Sequence, residues 1–318
     1  MTPARRLSEA ARREGWFLAG PTASGKSAVA MSLSRLLPRP AEIVAVDSMT
    51  LYRGMDVGTA KPTAEDAAEV PHHLVDVLDP HETFSVAEYV VAASAAADDI
   101  LGRGRVPLFV GGGGLYLRAL LRGLFDGPPA DEEVRRRIEA RGDAAALHAT
   151  LRRFDPAAAA AIEPNDRRRT VRALEVLELT GRTISSYRAE GEPDRVAGRV
   201  FWLDRGRAEL HERINRRTDR MLAGGWLAEA AALAGRTPPP SRTARRALGY
   251  AELMEVAGGR ADLAAAADRI KARTRQFAKR QCTWFRNLPE CVRVAVPAGE
   301  SAAETAGRVL RAAGAAGG

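Results

Sequence analysis

One stretch near the start of the chain constrains everything around it. Residues 20–27 read Gly20-Pro21-Thr22-Ala23-Ser24-Gly25-Lys26-Ser27, a full G-x-x-x-x-G-K-[ST] sequence. It is preceded by the short apolar run Trp16-Phe17-Leu18-Ala19 and followed by Ala28 to Leu37, with apolar residues at Val29, Leu33, Leu36 and Leu37. Strand, glycine turn and helix in that order make a phosphate cradle. Backbone N–H groups and the positive end of the helix converge on anionic oxygens. Lys26 is placed to neutralise a terminal phosphate and Ser27 to ligate Mg2+. The loop alone does not distinguish a nucleotide from another diphosphate.

The first 125 or so residues alternate strand and helix. Strands are expected at 16–19, Glu42–Val46 and Val106–Val110, with helices over 27–37 and about 85–102. Such alternation specifies an α/β fold, a parallel sheet flanked by helices. Right-handed crossovers then bring the loop ends 20–27, 47–59 and 111–114 to one edge of the sheet. From Asp131 the strand signal vanishes. Asp131-Glu132-Glu133 opens a helix over 134–140, Pro156 begins another, and Asn165-Asp166 caps a third over Arg167–Leu179 that stops at Gly181. Strand character returns at Val200–Leu203 and again at Val292–Val296, with a long basic helix over Ala261–Phe285 between them. The expected organisation is a disordered N-terminal arm over 1–14 and an α/β catalytic core over 15–128 and 200–297. An all-helical insertion domain occupies 129–199 and a flexible Ala/Gly-rich tail 298–318.

Composition narrows the setting. No apolar run approaches the ~20 residues of a membrane span, and the Arg-rich first residues lack the apolar core of a secretory signal. Cys282 and Cys291 suit neither a zinc site nor a disulfide framework, so a reduced, cytoplasmic setting is expected. The net charge is +8. Residues 236–286 hold twelve basic and four acidic side chains. That block fits a large polyanionic partner or equally a solvated helix face. Phe277, Trp284 and Phe285 read as a core stripe, and His72-His73 as a packing or hydrogen-bonding pair rather than a metal site.

Beyond the phosphate loop, Val46-Asp47-Ser48-Met49-Thr50 ends the second strand. A carboxylate there could act as a general base or hold a metal. The charged, Gly-punctuated run from Tyr52 to Pro62 reads as an ordered functional loop, and Gly111–Gly114 permits close backbone approach at the same edge. With Pro71–Leu74, Asn165–Arg169, Arg172–Glu175, Arg213–Asn215, Arg217, Gly249-Tyr250, Arg275–Gln281 and Thr283-Trp284, these motifs follow one another in order over about 16–290. Together they resemble the tRNA dimethylallyltransferase (tRNA isopentenyltransferase) family.

The resemblance implies a P-loop NTPase-like core that moves a dimethylallyl group from dimethylallyl diphosphate to N6 of adenine 37 in the anticodon loop of tRNA. It implies that Gly20–Ser27 and Arg217 bind the diphosphate, with Mg2+ on Ser27. Asp47, Gly113 and Arg135 carry the chemistry, with Asp47 taking the proton from the adenine amine. Asp47, Ser48, Met49, Thr50, Gly113, Arg135, Arg168, Arg169, Thr170, Val171, Arg172, Lys279, Arg280 and Gln281 contact tRNA. The expected state is a monomer with no membrane partner. Two positions depart from the family pattern: Gly113 stands where Thr or Ser is usual, and Thr50 where Gln is frequent. A small-molecule enzyme on the same core, such as a kinase or a free-adenylate prenyltransferase, needs neither the helical insertion nor the basic block. A non-catalytic RNA-binding module needs neither Asp47 nor the Lys26-Ser27 pair.

Overall fold

The structure is a computed structural model that describes residues 6–124, 127–189 and 199–316. The chain divides into two compact units, Met1–Leu121 with Arg195–Gly318, and Arg122–Asp194. The first unit begins with α1 (Glu9–Glu14), β1 (Trp16–Ala19), α2 (Lys26–Leu36), β2 (Ala41–Val46), α3 (Ala64–Glu69), β3 (His72–His73), α4 (Val86–Gly102), β4 (Val106–Gly111) and α5 (Gly114–Arg122). The second unit holds α6 (Glu132–Glu139), α7 (Ala144–Phe154), α8 (Pro156–Ala161), α9 (Arg167–Thr180) and α10 (Ile184–Ala189). The first unit resumes with β5 (Val200–Arg205), α11 (Arg207–Ala223), α12 (Trp226–Ala234), α13 (Arg242–Arg245), α14 (Tyr250–Ala257), α15 (Leu263–Arg286), β6 (Val292–Val296) and α16 (Ala302–Ala316).

Among the described residues six strands form one parallel sheet in the order β3-β2-β4-β1-β5-β6. Strands β1, β2 and β4 are buried at every position, as a sheet covered on both faces requires. On one face, Val29, Ala30 and Leu33 of α2 pack on Leu18, Ile43, Leu108 and Phe201. Each such fully buried Leu, Val or Phe contributes roughly 1.5–3 kcal/mol. Elsewhere in the core Phe17 stacks on Phe109 at 4.5 Å, and Tyr89 of α4 donates its hydroxyl to Ala45 O at 2.9 Å.

Two terminal expectations are corrected. Residues 1–5 lie outside the described residues, but the rest of the supposed disordered arm is folded. Ser8 caps α1, donates to Asp98 at 2.5 Å, and sits between the buried Leu7 and Ala11. The supposed flexible tail is α16. Its Ala306 and Val309 are buried in the same cluster as α2, and Ser301 and Glu304 exchange hydrogen bonds at its start. That pair is a capping box followed by alanines, the strongest helix formers. The second unit has its own core of Val134, Ile138, Leu147, Leu151, Val171, Leu174 and Val176. Its α9 ends at Gly181 with φ +68, and its span of 122–194 is close to the expected 129–199.

Candidate active site

Three strand ends meet at one edge. Gly20 N–H donates to Gly111 O at 3.3 Å, and Gly113 N–H donates to Val46 O at 3.2 Å. The turns after β1, β2 and β4 are therefore tied together, as the crossover argument required. The glycine run is compulsory in part. A Cβ on Gly111 would lie 2.0 Å from Val46 O, and one on Gly114 2.6 Å from the Trp284 ring. Gly113 is different: a Cβ there would meet Val46 O at 3.2 Å and Tyr116 at 3.4 Å, a fit that small adjustments allow.

The phosphate loop curls between β1 and α2, with Gly25 at φ +95 and Ala23 at φ +64. A left-handed alanine costs roughly 1–2 kcal/mol, and its neighbours hold it there. Arg213 Nε donates to Ala23 O at 2.8 Å, Arg205 Nε to Ser24 O at 3.2 Å, and Arg217 donates to the Thr22 hydroxyl. From the other side Thr22 N–H donates to Gln281 Oε1 at 2.8 Å, while Gln281 Nε2 donates to Gly112 O at 2.8 Å. Pro21 and Ser24 are buried within the turn, and Ser27 is exposed at the first turn of α2. A cavity of about 580 Å³ opens against the loop, lined by Ala23, Arg213, Arg216, Arg217, Asp219 and Arg220. Its walls are mainly cationic, with Asp219 the acidic exception; Ala23 is the loop residue that lines it, and Lys26, Ser27 and Asp47 do not.

Lys26, Arg217 and Asp47 act on one another electrostatically. The Lys26 amine is lowered to about 8, chiefly by burial and then by the Arg217 guanidinium, with the Asp47 carboxylate opposing both. Burial also lowers Arg217, again opposed by Asp47. Asp47 stands just past β2, where Oδ1 accepts Met49 N–H at 2.8 Å. That bond fixes the carboxylate's orientation and leaves Oδ2 as an acceptor. Among the described residues no group of three or more His, Cys, Asp or Glu could hold a metal. A magnesium held by one serine hydroxyl and by a ligand's phosphates needs no such group, so Ser27 fits that arrangement. His72 and His73 instead serve β3: His72 Nδ1 lies 2.7 Å from Val70 O, and His73 Nε2 lies 2.6 Å from the buried Glu42.

Several residues expected to contact RNA do other work. Gln281 is buried as the strut described above. Thr50 is buried, its hydroxyl 3.4 Å from Asp47 O, so it shapes the turn that presents Asp47. In the second unit Thr170 and Val171 are buried on the inner face of α9, where they pack rather than face a partner. Arg172 is committed to Glu175 and Pro128 O, both at 2.7 Å. Arg135 in that unit pairs with Glu132 at 3.0 Å and the buried Glu175 at 3.1 Å. Arg168, Arg169, Lys279 and Arg280 are exposed. Phe285 is core, but Phe277 is 37% exposed with the Arg280 guanidinium 5.8 Å from its ring centre, correcting the stripe as a whole. The loop-gripping roles of Arg205 and Arg213 were not anticipated. The available signal was the i, i+4 pair Arg213 and Arg217, which puts two guanidiniums on one face of α11.

The sequence profile of a family described as IPP transferase matches residues 50–288. A tRNA dimethylallyltransferase of Anaeromyxobacter dehalogenans is 48% identical over 286 residues, covering 88% of this chain and 94% of its own length. A tRNA dimethylallyltransferase 1 of Trichlorobacter lovleyi is 46% identical at 88% and 93% coverage. Among solved structures, the full-length tRNA isopentenylpyrophosphate transferase of Bacillus halodurans superposes with a TM-score of 0.68 at 37% identity. That match covers 96% of this chain and 98% of the other. A eukaryotic dimethylallyltransferase acting on tRNA reaches 0.76 at 25% identity, over 89% and 74% of the two chains.

Proposed function

This chain belongs to the IPP transferase family, and on that footing we propose that it transfers a dimethylallyl group from dimethylallyl diphosphate to N6 of adenine 37 in tRNA. The observation that carries the reading is the pairing of a phosphate loop with a carboxylate at the next strand end, close enough for Asp47 to be felt by both Lys26 and Arg217. A kinase can use both elements; what favours alkyl transfer to RNA is that the pair sits in a chain of the IPP transferase family with exposed basic side chains at Arg168, Arg169, Lys279 and Arg280.

The residues divide the reaction between them. The loop N–H groups, Lys26 and Arg217 hold the donor's diphosphate. As the allylic C1–O bond breaks, the electron pair leaves on the diphosphate, where these cations stabilise the growing charge. The N6 lone pair forms the new C–N bond, and the N6 proton passes to Asp47 Oδ2. Met49 N–H keeps the carboxylate in line for that transfer. Magnesium on Ser27, when bound, supplies further neutralisation of the diphosphate. Gly113 N–H is already committed to Val46 O, so the expected side-chain hydroxyl at this position has no backbone substitute there.

The adenine must leave the anticodon-loop stack to reach a site of this kind. Exposed Arg168 and Arg169 in the helical unit, and Lys279 and Arg280 on α15, supply sequence-independent grip on RNA phosphates. Arg135 is the remaining candidate in the helical unit. No described helix is long and apolar enough to cross a membrane.

The test is direct. Purified protein is incubated with dimethylallyl diphosphate, Mg2+ and unmodified tRNA, and the digested nucleosides are weighed. Adenosine gaining one C5H8 unit, with release of diphosphate and no use of ATP, is the expected result. A requirement for ATP hydrolysis, or equal turnover of free AMP, overturns the reading.

A further inference from the structure

Glu229 lies outside every motif considered so far. It stands on α12, and its carboxylate accepts three consecutive backbone N–H groups from a loop far away in sequence. Asp56 and Val57 donate to Oε2 at 2.7 and 2.8 Å, and Gly58 donates to Oε1 at 3.1 Å. The Tyr250 hydroxyl completes the set at 2.6 Å. Burial, reinforced by the neighbouring carboxylate, drives this phenol strongly upward, so it remains a neutral donor. Hydrogen bonds to an ionised acceptor are about twice as strong as neutral ones, and here four converge on one side chain.

The loop is pressed into place from behind. A Cβ on Gly58 would lie 2.0 Å from Trp226 Nε1, so only glycine lets the backbone reach the carboxylate. Lys61, with its side chain 5% exposed, donates to Tyr52 O and Asp56 Oδ1 at 2.6 Å each and to Asp76. The same loop also lines a shallow, open depression of about 340 Å³. Asp56, Val57, Ala60 and Lys61 line it together with Arg217, Arg220 and Met221 of α11. The space combines the apolar side chains of Val57, Ala60 and Met221 with the charged Asp56, Lys61, Arg217 and Arg220, and Arg217 and Arg220 also line the cavity at Ala23, so a small hydrocarbon joined to a diphosphate could rest on its apolar side.

We propose that Glu229 is a positioning residue for the prenyl donor: by clamping Asp56–Gly58 it sets the wall on which the hydrocarbon end of the donor packs. This rests on the transfer reaction proposed above. The clamp acts on one end of the ligand only, because the phosphate loop has its own supports in Arg205, Arg213, Arg217 and Gln281. Glu229→Gln keeps the size but aims an amide NH2 at N–H donors.

The experiment compares two ligands on each protein, inorganic diphosphate and dimethylallyl diphosphate, by calorimetry, alongside steady-state kinetics. In Glu229→Gln the preference for the prenylated ligand should fall about tenfold, the packing of roughly two methylenes. Inorganic diphosphate binding and the tRNA KM should stay within about twofold of the starting protein. Tyr250→Phe, which leaves the three N–H bonds intact, should lose less than half of that effect on a logarithmic scale. Val57→Ala thins the wall without touching the clamp and should reproduce the selective loss, which keeps the test decisive if Glu229→Gln does not fold. Equal weakening of both ligands, or an unchanged preference in both Glu229→Gln and Val57→Ala, overturns the proposal. If the starting protein prefers the prenylated ligand yet makes no prenylated tRNA, the transfer reading fails instead, and the two failures are distinct.

Discussion

Lys26 should make donor binding depend on pH in a defined window. Burial and Arg217 hold its amine at about 8, against an ordinary 10.5. About nine-tenths of the amines carry a proton at pH 7 and about one-tenth at pH 9. If the charged form binds the diphosphate, the donor KM rises about tenfold over that interval, one decade per pH unit above 8. Stability moves the opposite way. The folded pKa lies below the unfolded one, so between pH 8 and 10.5 the unfolded chain binds the proton and the folded chain does not. Stability from this group therefore rises with pH across that window, and below it the charged lysine costs roughly 3 kcal/mol at ~1.4 kcal/mol per pH unit. Bound diphosphate relieves that cost by stabilising the ammonium. The thermal shift produced by diphosphate should thus be larger at pH 7 than at pH 9.5, with proton uptake on binding near pH 8.5. Donor KM against pH, and calorimetry in two buffers of different ionisation enthalpy, measure both effects. Lys26→Arg, charged throughout, should give a flat profile whatever its absolute affinity. A flat profile in the unaltered protein, or the same rise in Lys26→Arg, refutes the reasoning.

Other outcomes follow from the same geometry. Asp47→Asn keeps the Met49 N–H bond but cannot take a proton, so single-turnover transfer should slow about 10²-fold or more with donor affinity little changed; matching loss of Mg2+-dependent donor binding would make it a metal-shell residue instead. Gly111→Ala, its Cβ 2.0 Å from Val46 O, should abolish soluble folded protein, whereas Gly113→Thr should fold with a melting point within a few degrees (~1 kcal/mol). Gln281→Leu should raise the donor KM about tenfold or more by leaving Thr22 N–H and Gly112 O without their partner, while the tRNA KM moves little. Arg168→Ala with Arg169→Ala should weaken tRNA binding and reduce its salt slope by up to about two, leaving diphosphate affinity unchanged in a filter-binding and calorimetry comparison.

The sequence was most legible where local chemistry and fold agree. The phosphate loop can be read because the backbone conformation of Gly20–Ser27 is built from nearby residues, and the parallel sheet because β1, β2 and β4 are short apolar runs each closed by a turn. Asp47 was legible as the residue that ends β2. Composition misled at the termini. Alanine-rich residues 302–316 read as floppy, yet Ser301 and Glu304 cap them and Val309 anchors them. Direction misled in α9 and α15. Arg168-Arg169-Thr170-Val171 is basic as a string, but helical geometry turns Thr170 and Val171 inward while the arginines point out. Partners distant in sequence were invisible. Arg205, Arg213 and Gln281 reach the phosphate loop across 181, 190 and 259 positions, and Glu229 reaches its loop across 173. No local pattern encodes such pairs.

Position 281 shows why that distance matters for the chemistry. Lys279 and Arg280 are exposed on α15, and the next residue is the buried strut between Thr22 and Gly112. Within three residues, one turn of a rigid helix carries two surface cations and the only described side chain bonded to both the phosphate loop and the glycine run. Neutralising the cations alters the surface and leaves the strut's hydrogen bonds intact. Removing the strut takes away one of the links between the turn after β1 and the run after β4, leaving Gly20 N–H to Gly111 O, and those turns carry Lys26 and Gly113, the residues proposed to face donor and acceptor. A contiguous basic-polar string therefore combines an exposed cationic surface with a buried strut. The separation follows from helical periodicity, since side chains one position apart point about 100° away from each other. Net charge across 236–286 thus overstates the surface offered to a polyanion, because Arg273 is drawn to Glu252, Lys271 to Asp219 and Arg260 to Glu255. Lys279 and Arg280 pair with no carboxylate among the described residues, and they lie next to a buried side chain that holds the phosphate loop.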